Sequence, residues 1–219
     1  MDEQELVDRF HVLWYESQAH DTWRSTSWFG AELQQCPLDL WIYQELICRV
    51  RPEVFVEIGV KRGGLTRFVS DLLRLLHGRR GWRVIGVDIT LQRAERAGRM
   101  GRRVRLLEGD SVDRGIFERV ARECRGKRTM VLLDSDHSAA HVRRELELYA
   151  TLVTPGSYII VNDTNINGHP ALAGNKGRGP GPFEAVQEFL AEHPEFEADP
   201  RCERYLLTMN PSGYLRHRE

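Results

Sequence analysis

The stretch 54-VFVEIGVKRGGLTRF-68 decides the architecture. Val54, Phe55, Val56 and Ile58 make a short apolar run of strand-forming residues, after which Leu65, Phe68, Val69, Leu72 and Leu73 recur at helical spacing. Gly59, Gly63 and Gly64 stand between the two patterns, so the segment reads as strand, tight turn, helix. Such a turn aims backbone N–H groups and a helix N-terminus at whatever lies above the sheet, and glycine allows a ligand to approach the main chain closely.

The same alternation extends outward. Strand-like runs follow at 83-RVIGVD-88, 103-RVRLLEG-109, 129-TMVLLD-134 and 157-SYIIVND-163, with helical patterns near 65–77, 112–124 and 138–152. Apolar strands alternating with helices predict an α/β fold, a Rossmann-like, doubly wound and mostly parallel sheet. Ahead of it, Leu6, Val7, Phe10, Leu13 and Trp14 predict one helix and 38-LDLWIYQELICRV-50 a second, joined by a Trp-rich link. After it come the Gly/Pro-rich loop 168-GHPALAGNKGRGPGP-182, a helix at 183-FEAVQEFLAEH-193, and an antiparallel C-terminal hairpin made of 204-RYLLTMN-210, a turn at Pro211-Ser212-Gly213 and Tyr214-Leu215-Arg216. The expected organisation is a single domain over 1–219, with a helical N-terminal cap (1–50), a ligand-binding core (51–165) and a loop, helix and hairpin (166–219).

Composition narrows the function. Among 219 residues, 31 Lys and Arg nearly balance 32 Asp and Glu, for a formal charge of -1, which gives no electrostatic reason to expect nucleic acid or a membrane surface as partner. The one basic run, 91-LQRAERAGRMGRR-103, reads as a solvated helix and loop. No apolar run approaches membrane-spanning length, and MDEQELVDRF is acidic where a secretory signal would be basic, so a cytoplasmic location is expected. Cys36, Cys48, Cys124 and Cys202 lie far apart without a C-x-x-C pair, which speaks against zinc or a redox motif.

Spacing restricts what the glycine loop holds. Lys61 stands where a dinucleotide fingerprint needs its second glycine, and Gly64 is followed by Leu65 and Thr66 where a P-loop needs Lys and Ser/Thr. What remains is E-x-G-x-x-x-G-G, from Glu57 to Gly64. A carboxylate at that strand end suits a cationic or hydroxyl-rich ligand, such as the amino-acid end of S-adenosylmethionine. Asp88, at the end of the next strand, is placed to take two ribose hydroxyls, and Asp110-Ser111, after the third, to read an adenine amino edge. Singly, each residue reads equally well as a helix cap or loop residue. In order along three successive strand ends they delineate one site.

On these residues the chain resembles class I S-adenosylmethionine-dependent methyltransferases. More narrowly it is similar to the family of the cephamycin-biosynthesis methyltransferase and rhamnosyl O-methyltransferases, some members of which carry the name cephalosporin hydroxylase. The resemblance runs through 36-CPLDLWIYQEL-46, 132-LLDSDHSAAHV-142, 153-VTPGSYIIVNDTNINGHP-170, 179-GPGPFEAVQEFL-190 and the closing 206-LLTMNPSGYLR-216, with no clear match before Cys36. It implies a cofactor set of Glu57, Gly59, Lys61, Gly63, Gly64, Asp88, Asp110, Ser111 and Asp134.

Two further strand ends are acidic: Asp134-Ser135-Asp136-His137 and Asn162-Asp163. Oxygen donors without cysteine suit Mg²⁺ or Mn²⁺. Similar metal-dependent O-methyltransferases, catechol methyltransferase among them, hold Mg²⁺ with an Asp from the fourth strand end and an Asp-Asn pair from the fifth. The expected metal set here is Asp136, Asn162 and Asp163, with Asn162 departing from the Glu-Asp order of cephamycin-type relatives. Asp136 and His137 are the expected catalytic pair, His137 as the base, and His141 reads as packing or capping. A non-haem iron site would have only His193-Pro194-Glu195 to draw on, which does not support a hydroxylase.

The expected activity is Mg²⁺-assisted methylation of a hydroxyl on a small sugar or natural-product acceptor. A cofactor-binding but non-catalytic partner protein and a metal-independent methyltransferase stand as alternatives, and a homo-oligomer is left open. Trp23, Trp28, Phe29, Trp41 and Tyr43 are candidates for the acceptor wall or for core. The loop 171-ALAGNKGRGPGP-182 is expected to be mobile and to close over bound substrate.

Overall fold

The computed structural model describes residues 2–17, 20–92, 94, 100–171 and 179–219. The deciding stretch forms β3 (Val54–Ile58), a turn, and α3 (Gly64–His77). Before them lie α1 (Glu3–Glu16), a two-residue ribbon of β1 (Ser27–Trp28) and β2 (Ala31–Glu32), and α2 (Pro37–Val50). After them come β4 (Arg83–Asp88), β5 (Val104–Glu108), α4 (Arg114–Cys124), β6 (Thr129–Leu133), α5 (Ala139–Tyr149), β7 (Tyr158–Val161), α6 (Pro182–Glu192), β8 (Phe196–Ala198) and β9 (Tyr214–His217).

The seven-stranded sheet has the order β5-β4-β3-β6-β7-β9-β8, parallel from β5 to β7 and antiparallel where β9 pairs with β7 and β8. Strand pleating divides the core between its faces. Val54, Val56 and Ile58 join Val120, Leu146 and Phe189 on the side of α4, α5 and α6, whereas Phe55 faces Leu46, Phe68 and Leu73 on the side of α2 and α3. Each fully buried Leu or Phe on these faces stabilises the fold by roughly 1.5–3 kcal/mol. Because β3 connects onward to β4 on one side and β6 to β7 on the other, the helices that follow them pack on opposite faces of the sheet, and a crevice opens at its carboxyl edge.

The mostly parallel sheet and the antiparallel C-terminal strands match the sequence reading, with one correction. The partner of β9 is Phe196–Ala198, not 204-RYLLTMN-210. The latter segment forms no strand. It passes along α2, where the Thr208 hydroxyl (2.5 Å) and the Met209 N–H (2.9 Å) donate to the buried Asp39 carboxylate. Phe196 stacks on His217 and packs against Phe189, which fixes the edge strand from the core side. The expected closing loop lies for the most part outside the described residues, at 172–178.

Candidate active site

At the crevice, Gly59 has φ +92°, and a Cβ there would lie 2.0 Å from the Asp134 carbonyl oxygen. Only glycine lets the turn after β3 pass so close to the turn after β6. Gly63, with φ +76°, is the N-cap of α3. The adjoining Gly64 lies against the Glu32 carbonyl, which a Cβ would approach to 1.9 Å. The loop's glycines therefore serve packing between chain segments.

The cleft above these turns has a volume of about 750 Å³. Glu57, Gly59, Lys61, Asp88, Asp110, Ser111, Asp134, Asp136, His137 and Asp163 all line it. Asp88 accepts the N–H groups of Lys61 (2.7 Å) and Thr90 (3.0 Å), which holds the turn after β3 against the end of β4. Glu57 is almost wholly buried, accepts the Thr66 hydroxyl (2.5 Å), and has its pKa pushed to about 8 by burial. Asp110 accepts the Val112 N–H (3.0 Å), while Ser111 turns inward to donate to the buried Glu145. Lys61 places its ammonium 5.2 Å from the Trp23 ring centroid, over one wall.

The acidic cluster departs from the sequence reading. Among the described residues, Asp134, His137 and Asp163 bring ligand atoms within 4.8 Å of one another. His137 Nε2 lies 3.9 Å from Asp134 Oδ1 and 3.6 Å from Asp163 Oδ2. Asp136 is not part of this set. Its carboxylate accepts the Ser138 N–H (2.8 Å) and braces the start of α5, because the strand ends at Leu133 and the two-residue alternation that would have paired Asp134 with Asp136 ends there too. Asn162 also falls away from the expected set: only 2% exposed, it receives the Tyr43 hydroxyl on Oδ1 (2.7 Å) and donates from Nδ2 to Gln35 Oε1 (3.0 Å). Asp163 is held in the left-handed region at φ +57°, which short polar side chains tolerate, and its N–H donates to Asn210 (2.9 Å).

Burial, and then the neighbouring Asp163 charge, raise the pKa of Asp134. His137 is the basic side chain in ion-pair reach of this carboxylate pair among the described residues. Two half-buried carboxylates facing one imidazole form an under-neutralised set, which fits a hard divalent cation bound by one or two carboxylates.

Sequence reasoning missed Trp14 and Tyr15, which project from α1 into the cleft, and Gln35, which reaches Asp134 from the segment before α2. Only the polar pair Gln34-Gln35 ahead of Pro37 hinted at the last. Of the proposed aromatic wall, Trp23 lines the cleft. Tyr43 is buried, Trp28 packs edge-on against Phe68, and Phe29 and Trp41 face outward.

A family model described as Rhamnosyl O-methyltransferase/CmcI matches residues 20–218. The chain belongs to the rhamnosyl O-methyltransferase/CmcI family. The match extends ahead of Cys36, into the segment where no resemblance had been read. Rhamnosyl O-methyltransferases of Mycobacterium tuberculosis and Mycobacterium leprae are each 31% identical over 215 residues, covering 96% of this chain and 84% and 90% of theirs. Among solved structures, CmcI with Mg and SAM shares the fold at a TM-score of 0.68 and 21% identity, over 91% of this chain and 79% of that one. MycE of mycinamycin biosynthesis, with Mg, SAH and mycinamycin VI, does so at 0.51 and 21%, over 70% and 40%. As a member of the rhamnosyl O-methyltransferase/CmcI family the protein is an S-adenosylmethionine-dependent O-methyltransferase, which sets aside the non-catalytic alternative.

Proposed function

We propose that the protein methylates a sugar hydroxyl on a small natural-product or glycosyl acceptor, with Mg²⁺ held by Asp134 and Asp163 and with His137 as the base. The observation that carries this reading is the convergence of Asp134, Asp163 and His137 at the carboxyl edge of the sheet, beside the Gly59 turn. The names of the mycobacterial relatives favour a rhamnosyl acceptor. Asp88 would take the ribose and the Gly59 turn the amino-acid end of the cofactor, while Trp14, Tyr15 and Trp23 wall the remaining space for the acceptor.

A bound cation supplies positive charge that lowers the pKa of the acceptor hydroxyl. His137 Nε2 takes the hydroxyl proton as the oxygen forms its bond to the methyl carbon and the sulfonium–methyl bond breaks, leaving S-adenosylhomocysteine. Asp163 and Asp134 then stabilise the imidazolium, being 3.6 and 3.9 Å from that nitrogen.

Methyl transfer from labelled S-adenosylmethionine to rhamnosides and other glycosides, with Mg²⁺ or with EDTA, tests the proposal. His137→Ala is expected to slow turnover by roughly a hundredfold or more, while S-adenosylhomocysteine binds as before. Asp134→Ala should remove the Mg²⁺-dependent rate, whereas Asp136→Ala should cost little beyond a helix-start hydrogen bond worth about 1 kcal/mol. Full activity in EDTA would exclude the cation.

A further inference from the structure

On each carboxylate of the site one oxygen accepts a hydrogen bond from the N-terminal cap and the other faces His137. Asp134 Oδ2 accepts the Gln35 amide at 2.8 Å, whereas Oδ1 faces His137. Asp163 Oδ1 accepts the Tyr15 hydroxyl at 2.6 Å, whereas Oδ2 faces His137. Neither donor belongs to the sheet that carries the carboxylates: Tyr15 is on α1, and Gln35 lies in the segment leading to α2.

We infer that Tyr15 and Gln35 are positioning residues through which the N-terminal cap sets the orientation of the two carboxylates and so completes a divalent-cation site that the sheet alone leaves undefined. The inference rests on the cation site proposed above and adds the residues that make it competent.

The physical argument concerns rotational freedom. An Asp at a strand end can turn about its terminal torsion, and two such side chains facing each other turn apart through charge repulsion. A donor fixed on the outer oxygen of each holds the inner oxygens toward a common point, and partners of this kind raise metal affinity by tens of fold without touching the metal. Gln35 suits the task because its own amide is fixed. It is 8% exposed, and its Oε1 receives Asn162 Nδ2 at 3.0 Å. Asn162 in turn receives the Tyr43 hydroxyl at 2.7 Å, and Tyr43 receives Asn210 Nδ2 at 2.9 Å. Asn162 thereby orients Gln35, and it also hydrogen-bonds the Asp134 carboxylate itself. Tyr15 is fixed by packing against Trp23, whose ring centroid lies 6.3 Å away.

Calorimetric titration of Mn²⁺ into the full chain saturated with S-adenosylhomocysteine reads the effect without turnover. Tyr15→Phe removes only the hydroxyl and Gln35→Met only the amide. Each is expected to weaken Mn²⁺ binding about tenfold. The double variant should weaken it about a hundredfold, because the two donors hold different carboxylates. Affinity for S-adenosylhomocysteine in metal-free buffer should stay within about twofold, an outcome that a generally loosened fold would not give. Wild-type Mn²⁺ affinity in both single variants would overturn the inference and leave the cation site standing. Absence of Mn²⁺ binding to the unsubstituted chain would overturn the cation site and the inference together.

Discussion

Gly59 shows how one residue ties fold to site. A single methyl group at this position has nowhere to go, since the Asp134 carbonyl carbon and oxygen would lie 2.4 and 2.0 Å from it, and the positive φ adds strain of its own. Gly59→Ala is therefore expected to destabilise the chain by about 3 kcal/mol or more and to abolish S-adenosylhomocysteine binding, as read by denaturant unfolding and calorimetry. An unchanged unfolding midpoint would show that the two turns can separate freely. The necessity of glycine here was legible in the sequence. Its cause was not, because the sequence suggested a ligand's approach and the structure shows a neighbouring backbone. Asp134 and Asp136 illustrate the same limit: both are acids at one strand end, and only the path of the chain after Leu133 separates a site carboxylate from a helix brace.

At the scale of elements, α2 is more than a covering helix. It starts beside the cleft at Cys36, whose side chain makes no capping hydrogen bond, and Pro37 occupies the first turn. Burial, with the Asp39 charge behind it, pushes the Cys36 thiol up to about 12, so it is inert as a nucleophile at neutral pH. Cys36→Ser supplies a hydroxyl suited to that N-cap and is expected to stabilise the protein by about 1 kcal/mol. For a chain of this length that corresponds to a rise in melting temperature of about 2–4 °C, measurable by calorimetry. A fall instead would mean that the serine hydroxyl finds no partner at the helix start. The hairpin is the contrasting case. Its inner strand β9 was readable from its apolar pattern, but its partner was not, because 204–210 and 196–198 are both plausible edges and the choice depends on which one Phe189 and Asp39 can engage.

For the whole molecule, the cap and the C-terminal segment meet at Asp39. This carboxyl is 1% exposed and accepts Thr208, Met209 and the Tyr214 hydroxyl (2.7 Å), yet burial still pushes its pKa from 3.8 to about 6. A carboxyl with a raised folded-state pKa binds its proton more tightly when folded. Its contribution to stability is therefore complete below about pH 4 and is lost as the pH rises through 6. The difference is worth about 3 kcal/mol at most. Glu57, pushed to about 8, acts in the same direction over a higher range. Unfolding free energy should accordingly decline from pH 5 to pH 7.5, and Asp39→Asn should flatten the part of that slope that lies below pH 6. A slope unchanged in the variant would assign the dependence to other groups.

The sequence by itself determined the alternation of strands and helices, the glycine turn after the first parallel strand, and the acidic residues at successive strand ends. These follow from periodicities and backbone preferences that act over a few residues. The tertiary structure decided which of those acids face one another, that Asn162 turns inward to Tyr43 and Gln35, and that Tyr15 and Gln35 reach the site from the cap. Those outcomes depend on contacts between segments far apart in the chain. Local pattern carries no record of them, because the same short polar side chain serves equally as a cap, a buried hydrogen-bond partner or a ligand until the surrounding packing fixes its direction.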